Sequence, residues 1–318
     1  MSSEVILKAL SDPTRLRIAE LLRIMELTVG ELAQVLGQSQ PRVSRHIRIL
    51  DDAGLVGRRK EGSSVFVGLT DAGQAATLLD AVVIWSSEGE RHWATADQAR
   101  LAAVRADRAA AAEAYFAAHA EEWDAIRSLH IAESMVDEAM LAALDGEPLG
   151  QMVDIGTGTG TILQLFASRA ERVIGIDRSA EMLKFARAKV VQGNLPNTEV
   201  RQGDMYALDL PTASADTVIL HQVLHFAQQP AAALAEAARI LKPGGRLLLV
   251  DVAPHEIEEL RTRNAHARLG FSDQQIAEWF AAAGIEGGPH QDLPGGELTI
   301  KLWLGLRIAD SRLKVVSR

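Results

Sequence analysis

An apolar run that ends in an acid and then breaks into alternating glycines, Val153-Asp154-Ile155-Gly156-Thr157-Gly158-Thr159-Gly160, constrains this chain more than any other stretch. Ile162, Leu163, Leu165 and Phe166 follow with helix-like spacing, so the segment reads as strand, tight turn and helix. Glycine at every second position lets the backbone pass close to a ligand and removes the steric cost of positive φ. Alone, such a loop is equally a turn that needs positive φ and nothing more. Three later features shift the balance toward a ligand. Arg172–Ile176 reads as a second strand ending at Asp177, 21 residues beyond Gly156, where an acid can take both hydroxyls of a ribose. Gln202-Gly203-Asp204-Met205 ends a third strand, and Leu241-Lys242-Pro243-Gly244-Gly245-Arg246 turns a helix into a fifth. Strands near 151–155, 172–176, 199–203, 215–220 and 246–251 alternate with helices, which implies a parallel, doubly wound sheet. Its ligand belongs outside the carboxyl ends of the strands.

The 318 residues allow two domains, each with its own core. The chain contains no cysteine, which excludes disulfides, thiolate metal sites and thiol catalysis. No apolar run approaches membrane-spanning length and the N-terminus lacks a signal-peptide pattern, so the cytoplasm is the expected location and no membrane partner is expected. The net charge of −9 is uneven. Residues 1–75 hold ten Lys/Arg and nine Asp/Glu, so the acidity lies in the remainder. A local basic face for nucleic acid is compatible with that distribution.

The glycine spacing is Gly-x-Gly-x-Gly, not the Gly-x-Gly-x-x-Gly of pyrophosphate-binding folds; a nicotinamide dehydrogenase is the competing reading. With Asp154 before the loop, Asp177 after the second strand and LKPGGRLLLVD at 241–251, residues 115–307 closely resemble the class I S-adenosylmethionine-dependent methyltransferases. The resemblance implies S-adenosylmethionine or S-adenosylhomocysteine as cofactor. It assigns the Gly156, Gly158 and Gly160 backbone to the methionine part, Asp177 to the ribose, Asp204 and Met205 to the adenine, and Asp154 to the loop and the amino group. For each acid a cap or turn role is the alternative. The fourth strand runs into His221-Gln222-Val223-Leu224-His225-Phe226 without the Asn/Asp-Pro-Pro-aromatic motif of base-modifying DNA methyltransferases, and is closer to small-molecule enzymes of quinone-biosynthesis type. His221 falls where the cofactor's amino group or a methyl acceptor would lie, and His225 could share its face, so both are candidate general bases. His255 and His266 sit in the variable stretch where acceptor pockets form, and the sequence does not rank them.

Before this domain, Ser11-Asp12-Pro13-Thr14 starts a helix, a second spans about Val29–Leu36, and a third begins at Gln38-Ser39-Gln40-Pro41. The third carries Val43, Ile47 and Leu50 on one face, with Arg42, Arg45 and Arg48 projecting away from it. Leu55–Val67 reads as two short strands around a basic tip, completing a winged helix-turn-helix. A solvated charged helix face is the bland alternative. DPTRLRIAELL (12–22) and PRVSRHIRILDDAGLV (41–56) resemble the ArsR/SmtB repressors over about residues 4–95. The resemblance implies a homodimer on double-stranded operator DNA, with Gln40, Arg42, Ser44 and Arg45 in the groove, Arg58 and Arg59 on phosphate, and His46 structural. That family's metal-sensing cysteines are replaced in Glu26–Leu32, and Val82 and Trp93 stand where histidines would be sought beside Asp80 and His92, so no metal site is expected.

Asp71–Trp93 reads as a helix with Leu78, Val82 and Trp85 in one stripe, and Ala94–Ala120 as a stiff, alanine-rich helical spacer. Glu113–Leu129 adds Tyr115, Phe116, Trp123, Ile126 and Arg127, which either touch the ligand or pack on the next domain. The expected organisation is a mainly-α winged helix-turn-helix at 1–95, a helical connector at 96–145 and an α/β doubly wound, Rossmann-like methyltransferase domain at 146–310. Two functions are open: a transcriptional regulator that uses S-adenosylmethionine or S-adenosylhomocysteine as effector, and a working small-molecule methyltransferase that carries a DNA-binding module.

Overall fold

Asp12 begins the first long helix by accepting hydrogen bonds from the backbone of Thr14 and Arg15, at 2.9 and 3.0 Å, with Pro13 supplying the fixed φ of the first turn. The computed structural model that shows this describes residues 3–70, 77–82, 93–124 and 132–308. The helices α1 (Ser3–Leu10), α2 (Pro13–Ile24), α3 (Val29–Leu36) and α4 (Gln40–Asp52) pack with a small sheet of β1 (Leu27–Thr28), β2 (Val56–Glu61) and β3 (Ser64–Leu69). Thr28 and Glu31 form a reciprocal capping box at the start of α3. The sheet order is β1-β3-β2, all antiparallel, so β2 and β3 form the wing. Ile18, Leu32, Val35, Val43, Ile47 and Leu50 fill the core, none more than 1% exposed.

The chain divides into two compact units, Met1–Ala110 and Ala111–Arg318. Helix Ala94–His119 contributes Leu101 and Val104 to the core of the first unit. Asp97, 1% exposed, anchors the same helix by a bidentate pair with Arg17, both contacts at 2.7 Å. Of the stripe expected in 71–93, Leu78 and Val82 fall in the helical piece 77–82, whereas Trp85 lies outside the described residues, as does His92.

In the second unit a seven-stranded sheet has the order β6-β5-β4-β7-β8-β10-β9. Its strands are β4 (Gln151–Ile155), β5 (Arg172–Asp177), β6 (Thr198–Gln202), β7 (Ala215–His221), β8 (Leu241–Val252), β9 (Ile285–Pro294) and β10 (Thr299–Arg307). The first five are parallel; β10 runs antiparallel to β8 and β9. Alternation along the strands sends Val153, Ile174, Val218, Leu220, Leu247 and Leu249 to one face, under helices Pro230–Ile240 and Asp273–Ala282. Met152, Val173, Ile219, Leu248 and Val250 go to the other, under Glu133–Ala143 and Thr161–Phe166. A sheet covered on both faces explains why these strands read as nearly continuous apolar runs. Phe166 is fully buried, and truncating such a side chain to alanine costs ~3–5 kcal/mol. Because β4 pairs with both β5 and β7, the sheet reverses its winding there and opens a crevice at the carboxyl ends.

Candidate functional site

The glycine loop closes on the second strand. The N–H groups of Gly156 and Thr157 both donate to the carbonyl of Ile176, at 2.7 and 3.0 Å, and Gly158 N–H donates to Asp177 Oδ2 at 2.9 Å. Gly156 has φ +75°, and a Cβ there would lie 2.2 Å from a methyl of Val223, so no other residue fits without displacing the β7 loop. Gly158 has φ +53°, and its missing Cβ leaves the space beneath the indole nitrogen of Trp123 open.

Asp177 ends β5 as its spacing suggests. Its other oxygen, Oδ1, accepts from Ser179 N–H at 2.8 Å. The N–H groups of Gly158, Ser179 and Arg178 thus use up to three of the carboxylate's about four acceptor positions, leaving about one for a ligand hydroxyl. Burial pushes the Asp177 carboxyl above its ordinary range, and the N–H groups of Ser179, Gly158 and Arg178 pull it back. This acceptor set fits a ribose hydroxyl. Asp154 is 1% exposed at the fourth position of β4, one residue before the chain turns into the loop. Asp204 Oδ1 accepts from Tyr206 N–H at 3.0 Å and shapes the turn after β6, with Met205 packed against the core beside it.

His221 is the last residue of β7, buried, and is followed by Gln222 in a left-handed conformation with φ 49°. His225 is brought into a cluster that its sequence position does not announce. Its Nδ1 lies 2.7 Å from Oδ1 of Asp251, a carboxylate with no exposed surface near the end of β8. Asp251 also accepts from the backbone of Leu224, His225 and Val252. A carboxylate accepts and does not donate, so Nδ1 carries the proton in this contact. The His266 ring lies against His225 with centroids 4.2 Å apart, and the N–H groups of Ala267 and Arg268 donate to the His225 carbonyl. Ala265 takes a left-handed φ of 57° to make that turn. Two strained non-glycine residues, Gln222 and Ala265, thus bracket the histidines, a distribution common at functional sites.

Over these loops lies a cap built from the end of helix Ala94–His119 and the residues after it. The Phe116 ring meets Phe226 edge-on at 4.8 Å, and Trp123 packs on both Phe116 and Phe226. Tyr115 Oη accepts from Asn264 Nδ2 at 2.8 Å. Asp124 reaches the glycine loop, accepting from Thr159 Oγ1 at 2.6 Å and from Lys189 Nζ at 2.6 Å. Ile126 and Arg127 lie outside the described residues. Asp251, Asp124, Lys189 and Phe226 escaped the sequence reading. Only Asp251 had a usable signal, since it ends a strand as Asp177 does.

In the first unit, Gln40, Arg42, Ser44 and Arg45 are all exposed on α4, opposite the buried Val43, Ile47 and Leu50. His46 sits partly buried, 3.6 Å from Asp12, and burial lowers its pKa despite that acid. Arg58 is exposed and pairs with Asp51 at 2.6 Å. Arg59 is partly buried. It bonds to Glu61, pairs with Glu26 at 3.0 Å and lies over the Phe66 ring. Its charge is held by two carboxylates within the wing's own unit. Among the described residues no group of three or more His, Asp or Glu is placed to hold a metal ion. None of their helices is long and apolar enough to cross a membrane.

Two family models match the chain. "Bacterial regulatory protein, arsR family" covers residues 12–57, and "Methyltransferase domain" covers residues 153–249. A Streptomyces fradiae protein described as an uncharacterized 37.1 kDa protein in transposon TN4556 is 38% identical over 161 residues, 46% of each chain. A phosphatidylethanolamine N-methyltransferase of Cereibacter sphaeroides is 38% identical over 103 residues, covering 32% of this chain and 50% of the relative. The chain thus spans about half the length of these two relatives. The uncharacterized methyltransferase YcgJ of Bacillus subtilis is 29% identical over 191 residues, 54% of this chain and 73% of the relative. Its crystal structure superimposes with a TM-score of 0.51 at 19% identity, covering 55% of this chain and 99% of that one, which shows a shared fold.

Proposed function

For a chain that joins an arsR-family helix-turn-helix to a methyltransferase domain, we propose a dimeric DNA-binding regulator whose second domain binds S-adenosylmethionine or S-adenosylhomocysteine as effector. One observation carries this reading. A single helix, Ala94–His119, supplies Leu101 and Val104 to the core beneath the DNA-reading unit, and Tyr115 and Phe116 to the aromatic cap over the crevice. A ligand that changes the cap therefore acts on an element the winged helix is built upon. In this reading 1–95 reads DNA and pairs with a second copy, 96–145 connects, and 146–310 binds the cofactor.

The residues at the crevice would divide the cofactor among them. Asp177 takes a ribose hydroxyl, Gly156, Gly158 and Gly160 let the backbone follow the methionine part, Asp204 and Met205 border the adenine, and Asp154 and His221 face the amino group. On α4, Gln40, Arg42, Ser44 and Arg45 read base edges, and Arg58 neutralises phosphate.

The buried His225–Asp251 pair favours a second reading, in which the domain also turns over a small acceptor. The bound cofactor supplies a transferable methyl group on a sulfonium. His225 Nε2 would receive the proton that an acceptor hydroxyl or amine loses as its new bond to carbon forms, while Asp251 holds the ring. His221 is the alternative base. The cap and loops would exclude water and hold the reactants in line. The first test is calorimetry with S-adenosylhomocysteine together with duplex selection from a random pool. Binding of both ligands supports the regulator reading. Binding of the cofactor with no selectable duplex would leave only the enzyme.

A further inference from the structure

The cap touches the loops that follow four strands. Glu113 lies 3.9 Å from Arg178, beside Asp177 after β5, and Tyr115 meets Asn264 beyond β8. Phe116 meets Phe226 after β7, while Trp123 and Asp124 meet the glycine loop after β4. Most of these contacts are apolar or exposed. A compact polar knot lies on the glycine loop itself. Lys189 Nζ donates to Asp124 Oδ2 at 2.6 Å, to Thr161 Oγ1 at 3.1 Å and to Thr159 Oγ1 at 3.2 Å, which uses all three of its protons. Asp124 Oδ1 in turn accepts from Thr159 Oγ1 at 2.6 Å and from Thr161 Oγ1 at 3.4 Å. Thr159 and Thr161 belong to the turn that leads out of the glycines, and Thr159 is only 3% exposed.

We propose that Asp124 and Lys189 are positioning residues that latch the cap onto the glycine loop, and that cofactor exchange requires this latch to open. The proposal rests on the cofactor reading above and adds a gate to it. On the cofactor reading, a cap that touches the loops after four strands would lie across the route from crevice to solvent. The Asp124–Lys189 pair is the charge-bearing fastening at the glycine end. Its side chains are 43% and 23% exposed, so water and salt reach the pair and can loosen it. Thr159 and Thr161 make the latch sensitive to the loop, because any displacement of the glycines by ligand moves two of its four partners.

The test is stopped-flow displacement of S-adenosylhomocysteine from the full chain, read by tryptophan fluorescence, with calorimetric affinities alongside. Asp124→Asn and Lys189→Gln should each speed release on the order of tenfold, since changes at a closed site act mainly on dissociation. The double variant should release no faster than either single one, because one fastening is broken in all three. Raising salt should speed release from the parent and leave the variants unchanged, a response that general loosening of the fold would not produce. The melting midpoint of Asp124→Asn should match that of the parent. A parent that binds the ligand while both variants release it at the parental rate overturns the latch and leaves the cofactor reading standing. A parent that binds no ligand overturns both.

Discussion

His225 Nδ1 lies 2.7 Å from Asp251 Oδ1, and the two side chains are 6% and 0% exposed. The pair joins the loop after β7 to the end of β8, and Asp251 also gathers the N–H groups of Leu224, His225 and Val252. One carboxylate thus organises the whole turn that presents the histidine.

Asp251→Ala removes the acceptor for three buried backbone donors and an imidazole, and should lower unfolding stability by ~3–5 kcal/mol. His225→Gln leaves the backbone donors satisfied and should cost less, ~1–2 kcal/mol. Urea denaturation of both variants measures the difference. A smaller loss for Asp251→Ala than for His225→Gln would contradict the organising role of the carboxylate.

Asp177 makes a pH-dependent contribution of definite sign. Burial raises its folded pKa, with the N–H groups of Ser179, Gly158 and Arg178 opposing. An acid with a raised folded pKa contributes stability that is fully present below its unfolded pKa and is lost as pH rises through the folded one. The stability advantage of the parent over Asp177→Asn should therefore be greatest near about pH 4 and shrink toward neutrality. Urea midpoints across that range check it, and an advantage that grows with pH is the opposite result.

The backbone framework of the candidate site was legible because short-range rules produce it. The glycine spacing, the apolar strand and the acid 21 residues on are all local signals, and the helix Val29–Leu36 ends at Gly37, where a left-handed residue is needed. What was not legible is long-range or lacks pattern. Lys189 and Asp124 are 65 residues apart, and neither spacing nor composition pairs them. β9, IEGGPHQDLP, carries two glycines and two prolines and is mostly exposed, so it shows no alternation; it is tolerated as an edge strand. Arg58 and Arg59 share one basic run of the sequence, yet adjacent residues of a strand point to opposite faces. Arg58 is the more exposed of the two, and Arg59 lies against Glu26 and Glu61.

That division separates the effects of the two arginines. Arg58→Ala should weaken binding to all duplexes alike and reduce the slope of log affinity against log salt by about 1. Arg59→Ala removes the cation between Glu26 and the buried Glu61 and should instead cost ~1–2 kcal/mol of stability. Salt-dependent DNA titrations and thermal melts of both variants distinguish the roles. Arg45→Ala, on the exposed face of α4, should cost ~1–3 kcal/mol on the preferred duplex and relax base preference. Equal salt slopes for Arg58→Ala and the parent would remove Arg58 from the interface.

The central claim is that cofactor and DNA report on one another through this chain. Linkage requires that if cofactor changes DNA affinity by some factor, DNA changes cofactor affinity by the same factor, typically roughly 5–150-fold. The direct measurement is the Kd of S-adenosylmethionine and of S-adenosylhomocysteine, by calorimetry, with and without a saturating duplex chosen by selection. At least one of the two constants should shift by several-fold, matched by an equal shift in duplex affinity when that cofactor form is saturating. Identical constants with and without duplex, for both cofactor forms, would contradict it and leave a methyltransferase tethered to an independent DNA reader.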